Sequence, residues 1–327
     1  MEKIFILAEK ENWITDELEK EWINYIRNNN DLKEKYQYTN SIINADIIWI
    51  LSDYIVHRVP KELFLSKRVI TTIHHIVPWK MDQNKINHFK YLDEISNEFM
   101  TIESKCCNEL KKYVTKPIKV IPFWHNENVW FPLRNKQTEL RNKYNIPNNN
   151  NTFIIGSFQK DTEGAGIEKG IIKPKLEKGP DLFIEAVKKY KEYKKQTNIN
   201  ICVILTGYRR HYVINELKKL DIPYIYIQMC DFKTLNELYS CLDLYIVASR
   251  VEGGPRAINE CALTKTPLLT TRVGICDLIC HPDSIFEMND VSNTILKCRF
   301  DVNYNYEKSQ KYLIKNYMNL FTETLLK

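Results

Sequence analysis

Glycine is scarce in this chain of 327 residues: there are nine, and all lie between Gly156 and Gly274. Nothing before Gly156 can therefore form a glycine-rich loop of the sort that closes around a phosphate. No Asp-x-Asp triplet occurs either, so the chain lacks the carboxylate pair that would hold Mg²⁺ or Mn²⁺ against a diphosphate. Long apolar runs are missing as well. The stretch Ile4–Ala8 is shorter than a signal-peptide core. No segment reaches the roughly 18 to 20 apolar residues of a membrane-spanning helix. The expectation is a cytoplasmic protein, at most peripheral to a membrane. The nine cysteines are odd in number and scattered, with Cys202, Cys241 and Cys261 in apolar stretches. That pattern argues for reduced thiols and against a disulfide framework. Cys276, Cys280 and His281 have no second pair at zinc spacing, so no metal site is expected.

What is present is the material of an ordinary soluble protein. The apolar fraction of 44% is that of a globular chain, and the length allows two α/β domains with separate cores. The net charge of +6 suits an anionic nucleotide substrate or an anionic membrane surface. Nucleic acid is not an expected partner, because basic and aromatic residues do not interleave along any one element. Lys188, Lys189, Lys194 and Lys195 lie on a helix whose other face carries Leu182, Ile184, Ala186 and Val187, which makes them a solvated face.

Short apolar runs alternate with amphipathic helical patterns, the form of a parallel sheet covered by helices. The first half predicts strands at Ile4–Ala8, Asp46–Leu51, Val69–Ile73, Phe99–Ile102 and Lys119–Pro122. Ile14, Leu18, Trp22 and Ile26 mark one face of a helix. The second half predicts strands at Phe153–Ser157, Ile201–Thr206, Tyr224–Gln228, Leu244–Ala248 and Pro267–Thr270. Helices should begin near Asp181, Arg210, Lys233, Pro255 and Asp290. The asparagine-rich passage Arg134–Thr152 reads as a turn-rich linker. The expected domains are thus residues 1–133, a linker over 134–152, and residues 153–303. A last helix over 304–327 is expected to pack back across the domain junction.

The most informative passage is Glu252-Gly253-Gly254-Pro255-Arg256-Ala257-Ile258-Asn259-Glu260. An apolar strand precedes it, the glycine pair allows positive φ, and Pro255 suits the first position of a helix. Free amides and the positive end of a helix dipole then face whatever lies at the turn, which favours an anionic or strongly polar ligand. The bland alternative is a helix N-terminus with one glutamate in front and a solvated one on its flank.

The spacing of the two glutamates resembles the E-x(7)-E motif of the retaining glycosyltransferases of GT-B fold, family 4-like or group 1. The resemblance covers most of residues 152–280 with specific motifs, and residues 1–133 only in fold pattern. It implies two Rossmann-like domains facing a central cleft, the first on the acceptor side and the second holding the nucleotide-sugar donor. It also implies that Glu252, Gly253 and Gly254 face the transferred hexose and that Glu260 holds the ribose. The passage from Gly156 to Gly179 resembles the family's diphosphate grip, with Lys178 as the first cation and Lys160 as the second. Ser157 stands where the family usually has arginine. Arg209 or Arg210, after the strand that ends at Thr206, could add to that grip. Tyr226–Phe232 falls where relatives cradle the nucleobase. His74 and His75 follow a buried strand where relatives often have a histidine touching acceptor or sugar. Glu9-Lys10-Glu11-Asn12-Trp13 replaces the glycine-rich loop that many relatives carry after their first strand, and Asn12 and Trp13 are read as lining the ligand site. The reading is a metal-independent retaining hexosyltransferase that needs no cofactor. Its acceptor would be a glycan, a glycolipid or a protein. A sugar-nucleotide epimerase, a phosphorylase and a non-catalytic nucleotide-sugar binder share the architecture and stay open.

Overall fold

Runs such as Ile47-Ile48-Trp49-Ile50 are apolar at every position, as strands must be when helices cover both faces of a parallel sheet. In the computed structural model, which describes residues 1–11 and 14–327, they form two sheets in two compact units. One unit is Met1–Trp124 together with Ile314–Lys327, and the other is His125–Leu313. The reading of Asn12 and Trp13 as site residues falls outside the described residues.

The first unit holds β1 (Glu2–Leu7), β2 (Tyr36–Tyr38), β3 (Ile47–Ile50), β4 (Arg68–Ile73), β5 (Glu98–Thr101) and β6 (Ile118–Val120). All pair in parallel, in the order β2-β1-β3-β4-β5-β6. β2 was not foreseen, because Tyr-Gln-Tyr at a sheet edge carries no apolar run. The helix Ile14–Asn28 buries Leu18, Trp22 and Ile26, as their spacing predicts. Trp22 meets Trp49 edge-on at 5.8 Å and donates to Thr322 Oγ1 at 3.1 Å, while Phe321 packs on Trp49 and Trp124. These contacts hold the C-terminal helix Ile314–Leu326 in the first unit.

The single helix expected from Tyr304 to Leu326 is instead two, Val302–Ser309 and Ile314–Leu326, with Leu313 extended between them (ψ 147°). The break comes from backbone pairing. Tyr312 O accepts from His125 N at 2.8 Å, and Leu313 forms a parallel bridge with His125.

The second unit holds β7 (Thr152–Ser157), β8 (Asn200–Thr206), β9 (Tyr224–Ile227), β10 (Leu244–Val247) and β11 (Leu268–Thr270), in the order β11-β10-β7-β8-β9. Its core joins Ile155, Phe183, Val187, Val203, Leu205 and Ile246. The passage read as a linker carries a helix, Gln137–Lys143, that docks within this unit. Arg134 Nη1 donates to Ser240 O at 3.1 Å, Arg141 Nε to Cys241 O at 2.9 Å, and Arg141 Nη2 to Asp243 at 2.8 Å. Cations thus satisfy carbonyls at the C-terminal end of the helix Phe232–Cys241. Only the asparagine run after it behaves as turn.

Each sheet reverses its order beside its first strand, between β1 and β3 and between β7 and β10. Ligands of open parallel sheets gather at the carboxyl ends of the strands that flank such a reversal.

Candidate active site

In the second unit the reversal is lined by the residues after β7 and β10. β10 runs on through Ala248 and Ser249, both fully buried, into the Glu252–Pro255 turn and the helix Arg256–Thr264. Pro255 precedes the helix (φ −60°, ψ 112°), so the expected helix start moves by one residue, to Arg256. Gly253 and Gly254 are not among the glycines with positive φ, contrary to expectation. The left-handed residue is Gly274 (φ 55°), where an added Cβ would strike the Pro255 ring and come within 3.1 Å of Gly253 O. The turn is therefore shaped by a glycine outside the motif.

Gly179 plays the matching part for Lys178. It is left-handed (φ 58°), and a Cβ on it would run into the Ala248 carbonyl oxygen. Only glycine lets the Leu176–Gly179 turn lie this close to the end of β10. Arg250 N and Val251 N donate to Glu177 O at 2.8 and 3.1 Å, and Arg250 forks onto Asp181 at 2.7 and 2.6 Å. The result brings Lys178 and Glu252 together as an ion pair, Nζ to Oε1, with the side chains 20% and 9% exposed. Ser249 Oγ donates to the same oxygen at 3.2 Å. Both donors sit on Oε1, which leaves Oε2 for a ligand. Gln159 Nε2 donates to Lys178 O at 3.0 Å, tying the loop after β7 to the pair.

Glu260 lies further along the same helix and is buried. Its Oε2 accepts from the Tyr239 hydroxyl at 2.7 Å, and its Oε1 is 3.7 Å from Arg256 Nε. Burial pushes its carboxyl above the usual range, against the pull of Arg256 and Tyr239. Sequence reasoning missed Ser249, Gln159, Tyr239 and Arg256 as supports. Arg256 stood inside the motif in plain view, whereas nothing in the sequence ties Tyr239 to Glu260.

The other donor-side candidates separate. Arg210 is not available to a diphosphate. Its side chain is fully buried, with Nε 2.9 Å from Asp161 Oδ2, Nη2 donating to Ser157 Oγ at 3.1 Å and Nη1 donating to Gln159 O. It is a strut under the loop after β7, and Ser157 is buried with it. Arg209 is exposed, left-handed (φ 59°), and lays its guanidinium against Gly164 of the glycine-containing loop. Lys160 is half-buried between Gln159 and Asp161. In the segment after β9, read from the sequence as the nucleobase cradle, Asp231 caps the helix Phe232–Cys241 by accepting from Thr234 N at 2.7 Å, and Met229 is exposed.

In the first unit, His74 and His75 follow β4. His74 is half-buried, donates from Nε2 to Leu51 O at 2.8 Å and stacks on Phe123 at 5.8 Å, which leaves Nδ1 as its other polar atom. His75 is exposed. Among the described residues no three His, Cys, Asp or Glu side chains converge as metal ligands. No helix among them is long and apolar enough to cross a membrane.

Residues 170–297 match the family model described as Glycosyl transferases group 1. HepE from Anabaena, crystallised with UDP and glucose, superposes with a TM-score of 0.74 at 14% identity, over 99% of each chain. A glycosyltransferase from Rickettsia africae ESF-5 gives 0.66 at 17% identity, over 99% of this chain and 97% of that one. Sucrose-phosphate synthase from Thermosynechococcus elongatus gives 0.65 at 13% identity, over 97% and 79%. At such identities the likeness is one of fold, two parallel-sheet α/β domains of the GT-B kind. No curated protein matches the sequence. The family match spans Lys178, Glu252 and Glu260: the protein is a glycosyltransferase of GT-B architecture whose residues 170–297 are similar to the glycosyl transferases group 1.

Proposed function

We propose that the protein is a retaining glycosyltransferase that moves a hexose from a nucleotide diphosphate sugar to an acceptor hydroxyl without a metal ion. The observation that carries this is the Lys178–Glu252 pair at the sheet reversal, beside the N-terminus of the helix Arg256–Thr264. Glu252 Oε2 would take hydrogen bonds from the hexose hydroxyls, with Gly253 and Gly254 beside it. Lys178 would meet the diphosphate as the C1–O bond breaks and negative charge gathers on the leaving oxygens, which is where a fixed cation lowers the barrier. Lys160 and Arg209 would contribute at longer reach. Glu260 would hold the ribose through whatever capacity Tyr239 and Arg256 leave it. The missing Asp-x-Asp supports the cation-by-lysine reading.

Retention needs attack on the face the diphosphate leaves. The acceptor oxygen bonds to C1 as the C1–O bond to phosphate breaks, and its proton passes to a phosphate oxygen. Glu252 then orients the sugar and takes no proton. His74 and His75 would bind acceptor or sugar. The acceptor hydroxyl belongs to a glycan, a glycolipid or a protein, and peripheral contact with an anionic membrane is compatible with the net positive charge.

Because HepE was crystallised with UDP and glucose, UDP is the first nucleotide to try. Calorimetry with UDP, GDP and ADP in EDTA should find one that binds. Glu252→Ala should keep that binding while abolishing sugar transfer. Binding of none of the three, or loss of nucleotide binding in a folded Glu252→Ala, would sink the reading.

A further inference from the structure

Only three of the phenylalanines are exposed, and two of them, Phe131 (43%) and Phe232 (37%), line one groove. It lies within the second unit, between the helices Gln137–Lys143 and Phe232–Cys241, and encloses about 510 Å³. That volume suits a small organic ligand. Between the two rings the lining stays apolar, with Leu140 buried and Val129 and Leu133 half-buried. Single exposed apolar side chains are ordinary, whereas aromatics gathered around one apolar hollow mark a place where something binds.

The groove is preformed. The Phe131 amide donates to Asn236 Oδ1 at 3.2 Å, which fastens the segment before the first helix onto the second. Behind Phe232, the buried Trp130 meets it edge-on at 5.8 Å and meets Tyr239 at 6.0 Å. A ligand entering here would order little that is not already ordered, which keeps the cost of binding low.

The rim sets the sign of the ligand's charge. Lys143 pairs with Glu237, whose Oε2 also accepts from the Tyr144 hydroxyl, so that carboxylate is already neutralised. Lys136 and Lys233 make no ion pair among the described residues. Glu139 is the other acid of the rim, so three lysines stand against two glutamates. An apolar hollow edged by uncommitted ammonium groups complements a molecule with an apolar body and an acid head.

We propose that this groove is a binding site for a small amphipathic carboxylate, its acyl or aromatic body between Phe131 and Phe232 and its acid group at the lysine rim. The site shares no residue with the turn that pairs Lys178 with Glu252, and it stands independently of the transfer reaction.

The test uses the full chain. 1-Naphthoate, dodecanoate below its micelle concentration, 1-naphthalenemethanol and acetate are titrated by calorimetry. At least one of the two amphipathic carboxylates should bind at a single site, about tenfold or more tightly than either the alcohol or acetate, the worth of a hydrogen bond to a charged group. Lys136→Gln together with Lys233→Gln should weaken that carboxylate about tenfold or more and leave the alcohol unchanged. The melting temperature should hold in this variant, since neither lysine has an ionic partner to lose. Phe131→Ser should weaken carboxylate and alcohol alike. No carboxylate bound, equal affinity for the alcohol, or unaltered carboxylate binding in the lysine or the phenylalanine variant would each overturn the proposal. A protein that sediments as a dimer until Phe131→Ser makes it monomeric would give the groove to a second copy instead. Pelleting with phosphatidylglycerol vesicles that Phe131→Ser abolishes would give it to a membrane. Either result would equally overturn the proposal.

Discussion

Lys178→Met keeps most of the side-chain stem and removes the charge that faces Glu252. The carboxylate left behind is about nine-tenths buried and retains Ser249 Oγ as a donor at 3.2 Å. Breaking a fully buried pair from one side costs about 3 to 5 kcal/mol. Because Lys178 is 20% exposed, water can reach the site, and the loss should be nearer ~2 to 3 kcal/mol. For a domain of this size that is roughly 4 to 12 °C in melting temperature. Glu252→Gln in the same chain should restore most of it, since no unpaired charge remains, so the double-mutant cycle should show a coupling of at least ~1 kcal/mol. Nucleotide binding should behave differently. Both Lys178→Met and the double variant should bind UDP about 10-fold to 150-fold more weakly, because the charged donor is gone in each. Scanning calorimetry gives the first quantity and titration calorimetry the second. A coupling below ~0.5 kcal/mol, or a UDP affinity within twofold of the unaltered protein, would refute the account of this pair.

Glu260 sits above the usual carboxylate range, chiefly through burial, so its protonated form favours the fold, and that contribution is lost as pH rises through the raised value. Glu260→Gln should therefore gain on the unaltered protein in melting temperature from pH 4 to pH 7, while UDP binding weakens by about 1.5 to 3 kcal/mol; a difference that shrinks with pH would contradict this. Gly179→Ala forces a left-handed alanine into the Ala248 carbonyl and should destabilise by at least ~2 kcal/mol in chemical denaturation, with UDP binding lost alongside as Lys178 is displaced. His125 is buried with its Nε2 unpaired, and burial first and Arg256 second hold its pKa well below the ordinary histidine value. Its neutral form thus supports the fold above that ordinary value, and the support is lost as pH falls below it, so His125→Gln should flatten the melting-temperature profile between pH 7 and 5.

The strands were legible because buried parallel strands need apolar residues on both faces, and runs such as Ile201–Thr206 have little else they can be. The Gly-Gly-Pro turn and Lys178-Gly179 were legible because glycine is rare here and its positions stand out. What escaped depended on partners distant in sequence. Nothing in Tyr304–Leu326 announces that Tyr312 and Leu313 pair with His125 and break the helix. Arg134–Lys143 looked like linker because its apolar face is thin, yet Arg134 and Arg141 dock it on the carbonyls at the end of a neighbouring helix. Arg210 read as one of two arginines that could add to the diphosphate grip until Asp161, Ser157 and Gln159 enclosed it. The positive φ assigned to Gly253 and Gly254 belongs to Gly274, a residue whose need for glycine is visible only once Pro255 is packed against it.

The central claim is transfer with retention from a nucleotide diphosphate hexose, with the diphosphate itself taking the acceptor's proton. It is tested most directly by NMR of the glycoside formed from an α-linked UDP-hexose in EDTA, read at the anomeric proton before any mutarotation. The account predicts an α-linked product. A β-linked product would contradict it, since inversion requires a general base on the opposite face and would make His74 or His75 the group to examine first.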